Sequence, residues 1–196
     1  MRRIPWWALA SAGAAPVLLI GGFTLAGTRQ PSGYDPIRDT ISALAALGAT
    51  DRWVMTSALA GLGACHVITA AGLRPVRIRA RVVLGMGGAA TVLVAAFPQP
   101  AQGNSVAHTF AATVAFIALG GWPALSADRA SGAPLLRGWV SVGASGALLG
   151  LVVWFAAELH GGQRGLAERA AAGAQSLWPL AVVVTTRRAL TRRGSK

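Results

Sequence analysis

"VVLGMGGAATVLVAAFPQPAQGNSVAHTFAATVAFIALGGWPALSA", residues 82 to 127, contains no Asp, Glu, Lys or Arg. It is too long for one membrane-spanning helix, which needs about 20 apolar residues at about 1.5 Å each. Two prolines and a glycine in "FPQPAQGNS", residues 97 to 105, end one helix before the next begins. The stretch therefore predicts two consecutive spans joined by a short outer turn.

The rest of the chain repeats this pattern of apolar blocks and short basic connections. Of its 196 residues, 54% are hydrophobic and only 12% are charged. We predict an all-α membrane protein, a bundle of six transmembrane helices forming one domain over residues 1–196. The predicted spans are approximately 5–27, 53–73, 82–97, 106–126, 138–158 and 167–186. A cleaved signal peptide is the alternative for the first block, but that block is longer than the usual apolar region of a signal peptide.

The basic residues are divided unequally between the two sides of the predicted bundle. The net charge is +12, and thirteen of the 18 Lys and Arg residues fall at the termini or in the connections 74–81 and 129–137. The positive-inside rule then predicts a cell-membrane protein with both termini in the cytoplasm, N-in and C-in. No basic segment has the interleaved aromatic residues of a nucleic-acid-binding domain, so membrane lipids are the expected partners of the basic tail.

Nearly all titratable side chains fall on the outer side of this topology. The outer carboxylates are Asp35, Asp39, Asp51, Glu158 and Glu168, and only Asp128 is on the inner side. His108 opens the fourth span from outside, and His160 follows the fifth span. We therefore expect any polar site to lie at the outer end of the bundle.

The first outer connection, "GYDPIRDTISALAALGAT" (residues 33–50), has helical periodicity. After Pro36, apolar residues recur at the spacing of a short amphipathic helix that lies on the bundle or at the membrane surface. Asp39 and Ser42 are three residues apart and would share one face of that helix. Either Asp39 lies in the first helical turn and interacts with the helix dipole, or the helix is a lid whose Asp39 and Ser42 face a cavity.

Two further polar groups fall inside predicted spans. His66 lies near the membrane midplane, where it either makes an interhelical hydrogen bond or contacts a substrate or a transferred proton. Trp178 lies near the middle of the sixth span, and we expect it to face the bundle interior, where its indole N–H needs a partner.

The sequence predicts neither a metal site nor a cofactor. A site built from His108, His160 and a carboxylate is conceivable, but no compact ligand spacing such as HExxH is present. The chain also lacks a Walker A loop and a nucleophile elbow, so phosphoryl and acyl transfer have no motif support.

Five short stretches together resemble the bacterial and archaeal membrane family catalogued as domain of unknown function 998. They are "YDPIRDTISAL" (34–44), "GLGACHVITAAGL" (61–73), "FPQP" (97–100), "VAHTFAATVAF" (106–116) and "GLAERAAAGAQSLW" (165–178). The resemblance implies a six-helix bundle and supplies no reaction. It carries the polar positions of the family to Ser42, His108, Glu168 and Arg169.

Three classes of function remain open. The first is an intramembrane enzyme that acts on a lipid or isoprenoid by acid/base chemistry in a water-poor pocket. Its proton-transfer pair would be Glu168 and His108, with Asp39 and Glu158 orienting them. The groups that would bind an apolar small-molecule substrate are Ser42, His66, His160, Arg169 and Trp178.

The second class is a small-molecule transporter or binding protein. "RWVMTSALAGLGA" in the second span and "RGWVSVGASGALLG" in the fifth can be aligned at their tryptophans, as in an inverted repeat, although few positions match. The third class is an accessory membrane protein, in which Glu168 with Arg169 and Asp51 with Arg52 only satisfy helix ends. None of the three classes of function predicts an oligomeric state.

Overall fold

Seven α-helices and one short 3-10 helix build residues 3–128 and 132–194, the part of the chain that the computed structural model describes. The α-helices are α1 (Trp6–Thr28), α2 (Ile41–Leu44), α3 (Trp53–Gly72), α4 (Ile78–Ala96), α5 (Val106–Leu125), α6 (Gly138–Ala157) and α7 (Arg164–Gly194), and the 3-10 helix is Pro134–Leu136. Helix accounts for 74% of the chain and the described residues form no strand, so the predicted all-α fold is confirmed. Arg2, Arg129 and Lys196, which the charge count includes, lie outside the described residues.

Five of these helices, α1, α3, α4, α5 and α6, are long and apolar enough to cross a membrane. Their bounds agree closely with the predicted spans except at α4, which begins at Ile78 rather than at residue 82. Arg79 and Arg81 interrupt the apolar run in the sequence, but both lie inside the helix. Arg81 lies in the first turns of α4 and donates to the carbonyls of Ala70 (2.8 Å) and Ala71 (2.9 Å), which are unsatisfied groups at the end of α3.

The outward faces of these helices carry apolar side chains that a soluble protein would bury. Val17 is 69% exposed, Phe110 72% and Val153 68%. Large exposed apolar surfaces of this kind are typical of surfaces covered by lipid or by another protein. Together with the five apolar helices, they indicate a multi-helix membrane protein.

The long helices form a closed ring in which each packs against the next along the chain. The order is α1, α3, α4, α5, α6 and α7, and α7 returns to pack against α1. Helices α3 and α4 approach each other closely. A Cβ added at Gly63 would lie 2.5 Å from the Gly88 carbonyl oxygen, so this contact requires glycine.

Residues 29–52, which we call the cap, close the end of the ring that the sequence predicts to be the outer one. The cap contains α2, which packs on α1, α3 and α7. The expected amphipathic helix is only one turn long, and Asp39 precedes its N-cap, Thr40, whose side chain accepts from Ala43 N–H (3.1 Å). The predicted place of Asp39 in the first helical turn was therefore wrong. Residues 36–39 form a turn in which Arg38 N–H and Asp39 N–H donate to the Asp35 carbonyl, and the carbonyls of this turn are held by α7, as described below.

Candidate functional site

The cap docks on the first two turns of α7. A Cβ at Gly165 would lie 2.3 Å from the Asp39 carbonyl oxygen and 2.7 Å from that of Pro36, so only glycine allows this approach. The Arg169 guanidinium donates to the same two carbonyls, at 2.7 Å and 2.8 Å, and to the Tyr34 hydroxyl. Leu166 N–H donates to the Ile37 carbonyl (3.0 Å), so the peptide groups of the cap are paired with α7.

Tyr34 is part of this contact and is partly buried by it. Burial raises the pKa of the Tyr34 phenol above its ordinary value of 10.0, and the nearby Arg169 guanidinium partly opposes that rise. The phenol is therefore neutral at physiological pH, and its oxygen accepts the hydrogen bond from Arg169.

Glu168 precedes Arg169 on α7, and its side chain points into the bundle beneath the cap. Its side chain is only 4% exposed. One carboxyl oxygen, Oε2, accepts from Ile41 N–H, and the other, Oε1, is 2.9 Å from the Ser42 hydroxyl oxygen. Glu168 thus satisfies the first turn of α2 from a different helix.

His108 reaches the same hydroxyl from α5. Its ring is buried, with Nε2 3.2 Å from Ser42 Oγ and Nδ1 2.8 Å from the Phe97 carbonyl oxygen. Phe97 is the C-cap of α4, so its carbonyl has no partner within its own helix. Ser105 fixes the start of α5 by accepting from His108 N–H at 3.2 Å. The short turn between α4 and α5 therefore orients the imidazole.

The hydrogen-bonded chain of side chains runs from the Phe97 carbonyl through His108, Ser42 and Glu168 to Ile41 N–H. The groups at its two ends limit where its protons can lie. A carbonyl only accepts, so His108 Nδ1 carries a hydrogen, and a backbone N–H only donates, so Glu168 Oε2 is an acceptor. Between them the Ser42 hydroxyl has one hydrogen for two contacts. If both contacts of Ser42 are hydrogen bonds, one further proton lies on either Glu168 Oε1 or His108 Nε2.

The two arrangements differ by the transfer of one proton through Ser42. In the first, protonated Glu168 donates to Ser42, which donates to a neutral imidazole. In the second, the imidazolium of His108 donates to Ser42, which donates to the Glu168 carboxylate. Both satisfy every hydrogen bond in the chain, so the geometry allows Glu168 and His108 to share a proton that Ser42 relays.

An apolar cavity of about 60 Å³ lies directly below Glu168 and Ser42. This volume exceeds the roughly 10–15 Å³ that one water needs, so the cavity has room for several waters or for part of a ligand. Its apolar wall includes Leu19, Leu59, Leu62, Val94, Ala115, Phe116 and Leu119, and its polar lining groups are Ser42, His66, Thr91, Glu168 and Gln175. Every helix of the ring except α6 contributes to it, together with α2.

His66 lines this cavity and is 1% exposed. Neither of its ring nitrogens has a hydrogen-bond partner among the described residues. The expected interhelical hydrogen bond of His66 is therefore not made within that part of the chain.

Five of the predicted site residues lie away from the cavity. Asp39 accepts from Asp35 N–H (2.9 Å) within the cap and has Arg164 at 4.0 Å. Glu158 accepts from Gln163 N–H (3.1 Å) in the turn between α6 and α7, and His160 is exposed on that turn. Trp178 packs inside the bundle against a hydrophobic cluster that includes Trp122 and Leu136, and its indole N–H lacks a partner among the described residues. Arg169 holds the cap and does not line the cavity.

Three residues of the site were not singled out by the sequence. Gln175 is seven residues after Glu168, so the two share one face of α7, and this spacing was an available signal. Thr91 and the Phe97 carbonyl had no such signal, because nothing local distinguishes them from neighbouring polar or backbone groups. Within the described ranges, no three His, Cys, Asp or Glu side chains cluster closely enough to hold a metal ion.

The stretches that suggested the family resemblance meet at this site. "YDPIRDTISAL" supplies Tyr34 and Ser42, "FPQP" the Phe97 carbonyl, "VAHTFAATVAF" His108, and "GLAERAAAGAQSLW" Glu168. The family described as "Protein of unknown function (DUF998)" matches residues 6–185, which include every one of these stretches. No curated protein and no solved structure matches the chain. The resemblance is confirmed, and the chain belongs to this family of proteins of unknown function.

Proposed function

We propose that this protein is an intramembrane enzyme that performs acid/base chemistry on an apolar lipid or isoprenoid dissolved in the cell membrane. In this proposal the chain crosses the membrane six times, and both termini are in the cytoplasm. The single observation that carries the proposal is the hydrogen-bonded chain of Glu168, Ser42 and His108 at the cap end of an apolar cavity.

The length of α7 supports a sixth span. The helix has 31 residues, and its charge-free stretch, residues 170–186, reaches the lower limit of about 17 residues for a membrane-spanning helix. Its apolar stretch is less hydrophobic than those of the other long helices, because it contains Gln175, Ser176 and Thr186. All three side chains are about 1% exposed and face the bundle rather than lipid, so they do not oppose insertion.

Glu168 is the group that would exchange a proton with the substrate, because its side chain lines the cavity beside Ser42. A proton gained or lost by Glu168 can be balanced by His108 through Ser42, without a charge moving through the apolar cavity. A proton transfer by a positioned side chain accelerates reactions by about 10²–10⁴-fold. The low polarity of the cavity wall strengthens interactions between these groups and a substrate.

The gap between α5 and α7 is the proposed entrance. Most lining residues are buried, but Ala112 and Phe116 on α5 and Ala172 on α7 retain partial exposure. α5 and α7 contact each other only weakly, and α6, which lies between them in the ring, contributes no lining residue, so the proposed path passes beside α6. An apolar substrate could therefore enter sideways from the lipid, beneath the cap.

Replacing Glu168 by Gln tests the proposal, since Gln keeps an oxygen for Ile41 N–H and an amide for Ser42 but cannot transfer a proton. Lipids extracted from membranes of cells overexpressing the wild-type protein are compared by mass spectrometry with those of cells expressing E168Q or S42A. We expect a lipid or isoprenoid species to change with the wild type and not with either variant. S57A is the matched control, because Ser57 is exposed and bonds only to its own helix.

An accessory, structural role is the second candidate, and one observation favours it. Both oxygens of Glu168 are already occupied by groups of the cap, Ile41 N–H and the Ser42 hydroxyl. If E168Q is folded in detergent and changes the membrane lipids as the wild type does, the enzymatic proposal is wrong and the carboxylate only docks the cap. An absence of any lipid change with the wild type would favour the same conclusion.

A further inference from the structure

The inner end of the cavity contains polar groups that the proton-sharing chain does not use. His66 on α3 and Thr91 on α4 line it, together with Gln175 on α7. Thr91 donates to the Gly87 carbonyl (2.8 Å) and the Gln175 amide donates to the Phe116 carbonyl (3.0 Å), so these two donors are engaged. His66 is the exception, with both ring nitrogens buried and unpartnered among the described residues.

A buried imidazole without partners is costly, because each unsatisfied polar atom loses its hydration without a replacement bond. A neutral imidazole offers one N–H donor and one nitrogen acceptor. A hydroxyl group complements either nitrogen, since it can both donate and accept. The Thr91 hydroxyl, whose hydrogen is used by Gly87, adds only an acceptor to this end of the cavity.

The charges around the cavity restrict what can bind there. Among the described residues that line the cavity there is no Lys or Arg, and the only acidic one, Glu168, lies at the opposite, outer end. An anionic group such as a carboxylate or phosphate would therefore be buried at His66 without a counter-charge, at high cost. The polar group that fits the inner end is uncharged.

The separation of the two ends gives the approximate length of the cavity. Glu168 and Gln175 are seven residues apart on one face of α7, which corresponds to about 10 Å along the helix axis. The wall between them is apolar, with Leu59, Leu62 and Leu119 among its residues. A ligand spanning the cavity thus needs a polar inner end and an aliphatic body.

We propose that the inner end of the cavity is a subsite for the hydroxyl group of an uncharged aliphatic alcohol, which is hydrogen-bonded by His66. The alcohol's apolar chain fills the cavity toward Glu168. This inference rests on the proposed function, because it assigns the substrate class of the same cavity, but its test does not depend on turnover.

Ring-nitrogen NMR of the full-length protein in detergent tests the subsite with 1-hexanol and n-hexane as probes. The chain has only three histidines, so ¹⁵N-histidine labelling gives few signals, and those of His66 are identified by their loss in H66L. We expect 1-hexanol to shift the His66 ring nitrogens and n-hexane of the same chain length to leave them in place. The signals of exposed His160 serve as an internal control for effects of the solvent.

Thermal unfolding provides a second readout that does not rely on the spectra. Wild-type protein should be stabilised more by 1-hexanol than by n-hexane, because a ligand that binds only the folded state raises its stability. H66L should fold, since Leu removes the two unpartnered nitrogens, and it should lose this preference for the alcohol. T91V should weaken the preference without abolishing it.

Three results would overturn the subsite: His66 signals that move with neither probe, His66 signals that move equally with both, or an alcohol preference that survives in H66L. The first would leave the inner end to water alone. If E168Q abolishes the lipid change while 1-hexanol leaves His66 unaffected, the subsite is wrong and the enzymatic proposal stands. If His66 binds 1-hexanol but E168Q behaves like the wild type, the cavity binds alcohols without acid/base turnover.

Discussion

Glu168 and Arg169 are adjacent in the sequence, but Glu168 accepts a hydrogen bond from a backbone N–H of the cap and Arg169 donates to its backbone carbonyls. The carboxylate of Glu168 accepts from Ile41 N–H, whereas the guanidinium of Arg169 donates to the Pro36 and Asp39 carbonyls. An acid and a base side by side can serve both kinds of group because they leave α7 about 100° apart. This pairing explains why one of only six acidic residues in the chain lies at the start of an apolar helix.

Tyr34 is the only tyrosine in the chain, so its ionisation can be measured directly by tyrosinate absorbance. Because burial raises its pKa, we expect the folded protein to titrate with a midpoint above 10.0. A raised pKa means that the unfolded chain loses the phenol proton first as pH rises. The contribution of Tyr34 to stability is therefore complete below about pH 10 and is lost between pH 10 and the folded-state pKa.

Replacing Arg169 by Gln should raise the Tyr34 midpoint further, because the guanidinium is the charge that lowers it. R38Q is the control, since Arg38 pairs with Asp35 at the surface of the same cap and is not among the groups that shift the Tyr34 pKa. A wild-type midpoint at or below 10.0 would show that the cap is not docked on α7 as described.

At the scale of elements, α7 presents a single face to the cap and the cavity. Gly165, Glu168, Ala172 and Gln175 follow each other at intervals of three or four residues, which is the spacing of one helical face. The first of them contacts the cap backbone, and the last three line the cavity. The spacing of these four residues can be read from the sequence, but the element that faces them cannot.

Two glycine substitutions in α7 should have opposite effects on stability. Gly165→Ala forces a Cβ against the Asp39 and Pro36 carbonyl oxygens, and we expect a loss of about 1–3 kcal/mol from this overpacking. Gly173→Ala meets nothing within 4 Å, and we expect a gain of about 0.5–1 kcal/mol from helix propensity. Thermal unfolding in detergent measures both, and equal effects of the two changes would contradict the docking of the cap.

At the scale of the whole molecule, the proposed topology predicts which residues a reagent can reach from each side. Ser32 is exposed in the cap, and Thr191 is exposed near the end of α7. In intact cells, a membrane-impermeant maleimide should label S32C but not T191C, which should react only after the membrane is permeabilised. Native Cys65 is buried inside α3, so the unmodified protein is the control and should stay unlabelled. Labelling of T191C in intact cells would overturn the N-in, C-in arrangement.

The sequence predicted the helices well, because the length of an apolar run and the prolines that end it are local properties. It predicted the candidate site in part. Ser42, His108 and Glu168 were expected at the outer end and are joined by hydrogen bonds, whereas Asp39 and Glu158 bond to nearby backbone groups outside the cavity. Residues that share a predicted side of the membrane need not face the same cavity. A carboxylate in a loop can instead accept hydrogen bonds from the backbone of that loop.

By itself, the sequence determined a membrane-type bundle of long apolar helices with its titratable groups at one end, since span length and charge asymmetry follow from the thickness and polarity of a bilayer. Only the tertiary structure decided that Ser42 meets Glu168, 126 positions away, and His108, 66 positions away. Those contacts exist because α7 closes the ring against α1 and the glycine at position 165 admits the cap backbone. Such closure depends on how distant helices pack, which no local periodicity specifies.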